Sequence, residues 1–201
     1  MKMKISATLI ALMLFSGCTK MKPVDFKETT PKLVIEDFFN GKTLASGIFE
    51  DRFGNVRRQF SVDIDGTWDG TRLVLDEKFL YTDGERDRRV WTIVKTGIHT
   101  YEGRADDIIG TAKGEAQGNA LNWQYEMDLK IGDGSLRVHF NDWMFLQPSG
   151  MLINRARVSK LGVEIGTVTL AFIKADAKQT GFSETLSEQP AARATRQAAS
   201  R

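Results

Sequence analysis

Residues 121–131 read "LNWQYEMDLKI", and no other stretch restricts the possible folds of this chain as severely. Leu121, Trp123, Tyr125, Met127, Leu129 and Ile131 fall on one side of an extended chain, with Asn122, Gln124, Glu126, Asp128 and Lys130 on the other. A period of two is the pitch of a β-strand with one face buried and one wet. The same alternation recurs in Phe60, Val62, Ile64 and Trp68, and in Leu73, Leu75, Phe79 and Tyr81, where Glu77 interrupts the series. Turn signals separate the runs: "FGN" at 53–55, "DG" at 69–70, "TDG" at 82–84, "GN" at 118–119, "GDG" at 132–134 and "PSG" at 148–150.

Strands joined by short turns pair with their sequence neighbours, so an antiparallel meander of eight to ten strands is expected. An open meander of that length would expose two unpaired edges, and closure into a barrel removes them. A barrel of about eight strands encloses either packed side chains or one small ligand. The expected fold is therefore all-β: an antiparallel up-and-down, lipocalin-like barrel over residues 31–174. "GTW" at 66–68 has the Gly-x-Trp form found in lipocalins, here on a second or later strand. Ahead of the strands, "TPKLVIEDFFNG" suggests a short helix, with Thr30 as N-cap, Pro31 in the first turn and Gly41 as the stop.

The two ends of the chain read differently. Lys2 and Lys4 precede an apolar run, Ile5 to Phe15, that is too short to span a bilayer. Small residues Ser16 and Gly17 then lead to Cys18, the single cysteine. That is the layout of a secretory signal peptide, and "LFSGC" resembles the lipobox of bacterial lipoproteins, with Phe15 where the motif prefers Leu. The resemblance implies cleavage after residue 17 and lipidation of Cys18, followed by a tether over 18–30. Several acyl chains, at roughly 0.8 kcal/mol per buried methylene, hold a protein at a membrane. Thr19 rather than Asp after the cysteine favours the outer membrane, facing the periplasm, by the sorting rule of Gram-negative lipoproteins. Residues 175–201 are small, polar and poor in large apolar side chains, and read as a disordered tail.

Removing residues 1–17 takes away two lysines and no acid, leaving 26 basic against 26 acidic residues. That balance offers no basic stripe for a nucleic acid. Beyond Cys18 the remaining chain contains no cysteine for a disulfide or thiolate metal site, and two histidines, His99 and His139, cannot make a three-histidine centre. Catalytic signatures such as Gly-x-Ser-x-Gly and His-Glu-x-x-His are missing, so no catalytic residue, metal or cofactor is expected.

The runs "DGERDRRVW", "YEGRADDIIGTAKGEAQGNALNWQY", "NDWMF" and "LINRARVSKLGVEIGTVTLAFIK" resemble, in that order, a family of uncharacterised proteobacterial envelope lipoproteins known only as a domain of unknown function. The resemblance implies a calycin relative without established activity. Members are often encoded near lipid-modifying enzymes, which tilts the expected ligand toward lipids.

The candidate ligand-contacting residues are Trp68, Tyr81, Trp91, Trp123, Tyr125, Asp142 and Arg155. Aromatic side chains inside a barrel serve equally as filler or as pocket lining. Asp142 shares the parity of Val138, Phe140, Met144 and Leu146, which turns a carboxylate toward the interior. Three accounts stand open: a β-bulge that shifts the parity, a buried ion pair with Arg88, Arg89, Arg155 or Arg157, or a ligand-orienting group in a cavity. The expected function is a tethered binding protein for a lipid or other apolar molecule. The alternative is an assembly lipoprotein with a packed barrel whose outer surface binds an envelope protein.

Overall fold

A computed structural model of the chain describes residues 20–131 and 134–175. The leader 1–17, Cys18 and Thr19, the tail from 176, the turn at 132–133 and the side chains of Lys130 and Ile131 lie outside the described residues. Ten strands follow one another: β1 (Gly41–Asp51), β2 (Val56–Trp68), β3 (Arg72–Tyr81), β4 (Arg86–Lys95), β5 (Thr100–Arg104), β6 (Ile108–Gln117), β7 (Ala120–Ile131), β8 (Gly134–Leu146), β9 (Leu152–Lys160) and β10 (Val163–Lys174). Each pairs antiparallel with its neighbours in sequence, and β1 also pairs with β10, so the sheet closes on itself without a free edge. The fold is all-β, a closed ten-stranded lipocalin-like barrel.

Alternation places the core. Leu121, Trp123, Tyr125 and Met127 of β7 are buried together with Val62, Ile64, Leu73, Leu75, Trp91, Val138, Phe140 and Val158. The outward face carries ion pairs such as Lys78–Asp65 at 3.0 Å, Arg88–Asp76 at 2.7 Å and Arg137–Asp128 at 3.1 Å. A wall charged in this way meets water, since a lipid-facing barrel presents an apolar band instead. His139 lies outward, opposite Glu126 and Ser159.

The helix is shorter than the sequence suggests. It spans Ile35–Phe39 (α1), with Val34 rather than Thr30 at its N-cap. Residues ahead of it are held elsewhere: the Leu33 N–H donates to the Gly118 carbonyl at 2.7 Å. α1 lies across one end of the barrel. Phe39 meets Phe172 edge-on at 5.7 Å, and Gly66 is so close beneath that any Cβ there would overlap the Phe39 carbonyl. The plug is fastened by Glu36, only 7% exposed, which accepts hydrogen bonds from Lys95 Nζ at 2.6 Å and the Tyr101 hydroxyl at 3.0 Å. Burial pushes the Glu36 carboxyl up, but those bonds, its own backbone and the Lys95 charge outweigh it and leave the group below its ordinary value.

Within the segment read as a tether, Pro23–Phe26 forms a 3₁₀ turn on the outer wall. Phe26 packs on Trp143 and Phe145, two outward aromatics of β8, with ring centroids 5.9 and 5.3 Å away. Thr29 then bonds Asn119 through its hydroxyl at 2.7 Å. Residues 20–30 thus lie against the barrel because β8 carries apolar rings on both faces.

Candidate functional site

The closed end and the opposite end are built from different residues. At the α1 end, Trp123 lies on a bed of two glycines: a Cβ on Gly103 or Gly114 would collide with its indole ring. Trp91 meets the Trp123 ring edge-on at 5.7 Å and the Tyr125 ring at 5.4 Å. Tyr125 in turn stacks on Phe140 with centroids 4.9 Å apart. Large rings set against residues without side chains leave no space on that side.

Toward the other end the packing stops. A cavity of about 410 Å³ opens there and narrows down the barrel to a floor of Ile35 and Phe39 of α1. Its walls are overwhelmingly apolar, and half-buried Phe49, Phe60, Tyr81, Leu136, Ile165 and Val168 surround its mouth. This volume falls within the roughly 300–1,000 Å³ typical of small-molecule sites.

Besides the Tyr125 phenol, and Arg58 and Tyr81 at the mouth, four charged or amide side chains interrupt the apolar wall: Glu77 on β3, Arg89 on β4, Asp142 on β8 and Asn154 on β9. Asp142 points inward because nothing disturbs its parity. Register runs unbroken past it on both sides, opposite Trp123 in β7 and Ala156 in β9. The parity-shifting bulge is thereby corrected: the bulges of the barrel fall at Phe49/Glu50, Glu164/Gly166 and Ile109/Lys113. The ion-pair account also fails on geometry, since the one hydrogen bond that reaches Asp142 Oδ2 comes from Asn154 Nδ2 at 3.5 Å. Asp142 Oδ1 and Asn154 Oδ1 are buried without a partner. Burial pushes the Asp142 carboxyl up from 3.8 to about 7, against the Asn154 bond and the more distant Arg89 charge.

Arg89 is already matched. Its Nε and Nη2 hold both oxygens of Asp107, in the loop between β5 and β6, at 2.7–3.1 Å. Glu77, opposite Arg89 in register, feels that charge, yet burial still carries its carboxyl from 4.5 to about 7. At the mouth Arg58 lies over the Tyr81 ring at 3.6 Å and pairs with Glu85 and Asp83.

Five of the seven candidates from sequence therefore meet in one place: Tyr81, Trp91, Trp123, Tyr125 and Asp142 all border the cavity. Trp68 does not border it; the residue packs against the core at the α1 end of β2, where its backbone N–H donates to Asn40 Oδ1. Arg155 is exposed on the outer wall beside Trp143, because its parity in β9 is opposite to that of Asn154 and Ala156. Arg58, Glu77, Arg89 and Asn154 belong to the site and were not among the candidates. Among the described residues, no cluster of three or more His, Cys, Asp or Glu side chains is placed to hold a metal ion.

The chain belongs to the family described as "Protein of unknown function (DUF3833)", whose model matches residues 12–174. No curated protein matches the sequence significantly. Among solved structures, the S-type phycobiliprotein lyase CPES from Guillardia theta is similar with a TM-score of 0.53 and 9% sequence identity, over 72% of this chain and 94% of that chain. At that identity the likeness is one of fold.

Proposed function

We propose that the protein is a lipid-anchored envelope lipoprotein that holds a lipid or other small apolar molecule inside its barrel. The observation that carries this reading is the cavity of about 410 Å³, apolar at its walls and polar at one station, where the alternative of a structural lipoprotein calls for a filled barrel. The lipocalin-like fold suits small-ligand binding, by analogy of architecture. The address rests on Cys18 and its leader: acylation there would tether the barrel at the outer membrane, on the periplasmic side.

The rim of the mouth supports a lipid source for the ligand. Phe53 and Leu161, 74% and 95% exposed, stand on neighbouring hairpins joined where the Arg52 N–H donates to the Ile165 carbonyl. Arg52 lies over the Phe53 ring at 4.8 Å. Exposed apolar tips beside a guanidinium suit contact with an anionic bilayer surface.

Solvent extraction of protein purified from its native membrane, followed by mass spectrometry, tests the ligand reading. A stoichiometric lipid supports it, and an empty protein that binds no apolar fluorophore removes it. The anchor is tested separately by labelling with a palmitate analogue, which is expected to be lost in Cys18→Ser. Incorporation that persists in that variant would contradict the anchor.

A further inference from the structure

We infer that the molecule held in the barrel carries a hydrogen-bond-donating head, a hydroxyl or an ammonium group, which docks at Asp142 and Asn154. The inference rests on the ligand-holding reading above and names the chemistry that this site selects. Asp142 Oδ1 and Asn154 Oδ1 are both buried without a partner, on residues 5% and 3% exposed, and both residues border the cavity. A buried acceptor without a donor is costly, so it marks a place where another group belongs. Two such acceptors lie on adjacent strands β8 and β9, two residues apart in register: Asp142 stands opposite Ala156, and Asn154 opposite Met144.

The two guanidinium groups that could serve a carboxylate or phosphate head each already hold carboxylates of the protein. Arg89 holds Asp107 through a bidentate contact, and Arg58 holds Glu85 and Asp83 at the mouth. Glu77, which also borders the cavity, adds a further acceptor and no donor when ionised. An anionic head placed at mid-depth would add to the charges of Asp142 and Glu77, while the one cation near them, Arg89, is already shared with Asp107. A hydroxyl or ammonium group would satisfy the lone pairs that the protein leaves open, while its chain fills the apolar space between Tyr81, Phe60 and Leu129.

The test is competition between three probes of equal chain length, decan-1-ol, decylamine and decanoate, for displacement of the fluorophore N-phenyl-1-naphthylamine at mildly alkaline pH. Decanol and decylamine are expected to displace it at roughly tenfold lower concentration than decanoate, the scale of one or two hydrogen bonds to a desolvated group. Asp142→Asn, which replaces one acceptor oxygen by an N–H donor, is expected to erase most of the decylamine advantage. Asn154→Leu, which removes the second acceptor without adding a charge, is expected to weaken decanol and leave decanoate unchanged, so the prediction survives should Asp142→Asn fail to fold. Decanoate binding as well as the alcohol and amine would overturn the headgroup assignment while leaving the cavity reading in place. No binding of the fluorophore or of any probe removes both.

Discussion

The barrel interior has two halves that the same alternating pattern builds to opposite ends. At the α1 end, every inward ring has a counterpart: Trp123 rests on Gly103 and Gly114, Trp91 abuts it, and Phe39 seals the floor against Phe172. At the mouth, Phe49, Phe60, Phe79 and Tyr81 are as large and as apolar, yet remain only half-buried. The difference lies in what each ring faces. Small residues and a plugging helix let rings close on one another, whereas a circle of large residues at an open end holds itself apart. Apolar content is therefore no guide to which half is core and which is site.

The largest effect is expected at Trp123. Trp123→Ala leaves a void over two glycines that cannot fill it, and is expected to cost about 3–5 kcal/mol in denaturant unfolding. A loss under about 1 kcal/mol would place Trp123 with the mouth residues instead.

The plug comes next. Glu36→Gln weakens the contacts to Lys95 and Tyr101 that fasten α1, with an expected loss of about 1–3 kcal/mol near neutrality. Because the Glu36 carboxyl is held below 4.5, its contribution is present above that value and is lost as pH falls through the folded value. The difference between parent and variant should therefore shrink in acid; a constant gap would show that Glu36 acts by shape alone.

The inward carboxyls of the cavity work in the other direction. Asp142 and Glu77 rise from 3.8 and 4.5 to about 7 on folding, so the folded state binds more protons than the unfolded one between those values. Stability is expected to fall as pH rises through that window and to level off above it. Asp142→Asn and Glu77→Gln should each flatten part of the slope, read from unfolding curves across pH. Profiles parallel to the parent's would mean that neither group is desolvated.

Much of this is legible in the sequence. Period-two runs and turn dipeptides specify the strands and their antiparallel neighbours, because both signals are local. The inward carboxylate at Asp142 was visible as a break in parity, and the break at Glu77 in Leu73, Leu75, Phe79 and Tyr81 is the same signal. Arg58 and Arg89 share the parity of Phe60 and Trp91, so the rule that flags Asp142 extends to them. What escaped depends on distant partners. Trp68 and Trp123 both sit on alternating strands, but only the barrel's closure sets one behind Asn40 and the other over Gly103 and Gly114. Arg155 was a candidate through its charge alone, and β9 register turns it outward. The late start of α1 follows from the hold of Gly118 on Leu33, a contact 85 residues apart in sequence that no capping rule foresees.

The smallest effect on stability is expected at the mouth. Tyr81→Ala should cost less than about 1.5 kcal/mol, since the ring is half-buried and faces open space, while weakening fluorophore binding measurably. A loss as large as that of Trp123→Ala would erase the distinction between the two halves.

If the cavity that opens at the mouth is space for a ligand, filling it should abolish binding. Val168 is half-buried on β10 and borders the cavity. N-phenyl-1-naphthylamine titrated into the parent chain and into Val168→Trp, each with its unfolding curve, gives binding and stability together. Saturable binding is expected for the parent, with loss of most of it in Val168→Trp and a stability equal to or above the parent's as the added ring occupies empty volume. Undiminished binding in the filled variant, or a collapse in its stability of the kind that overpacking produces, would contradict it.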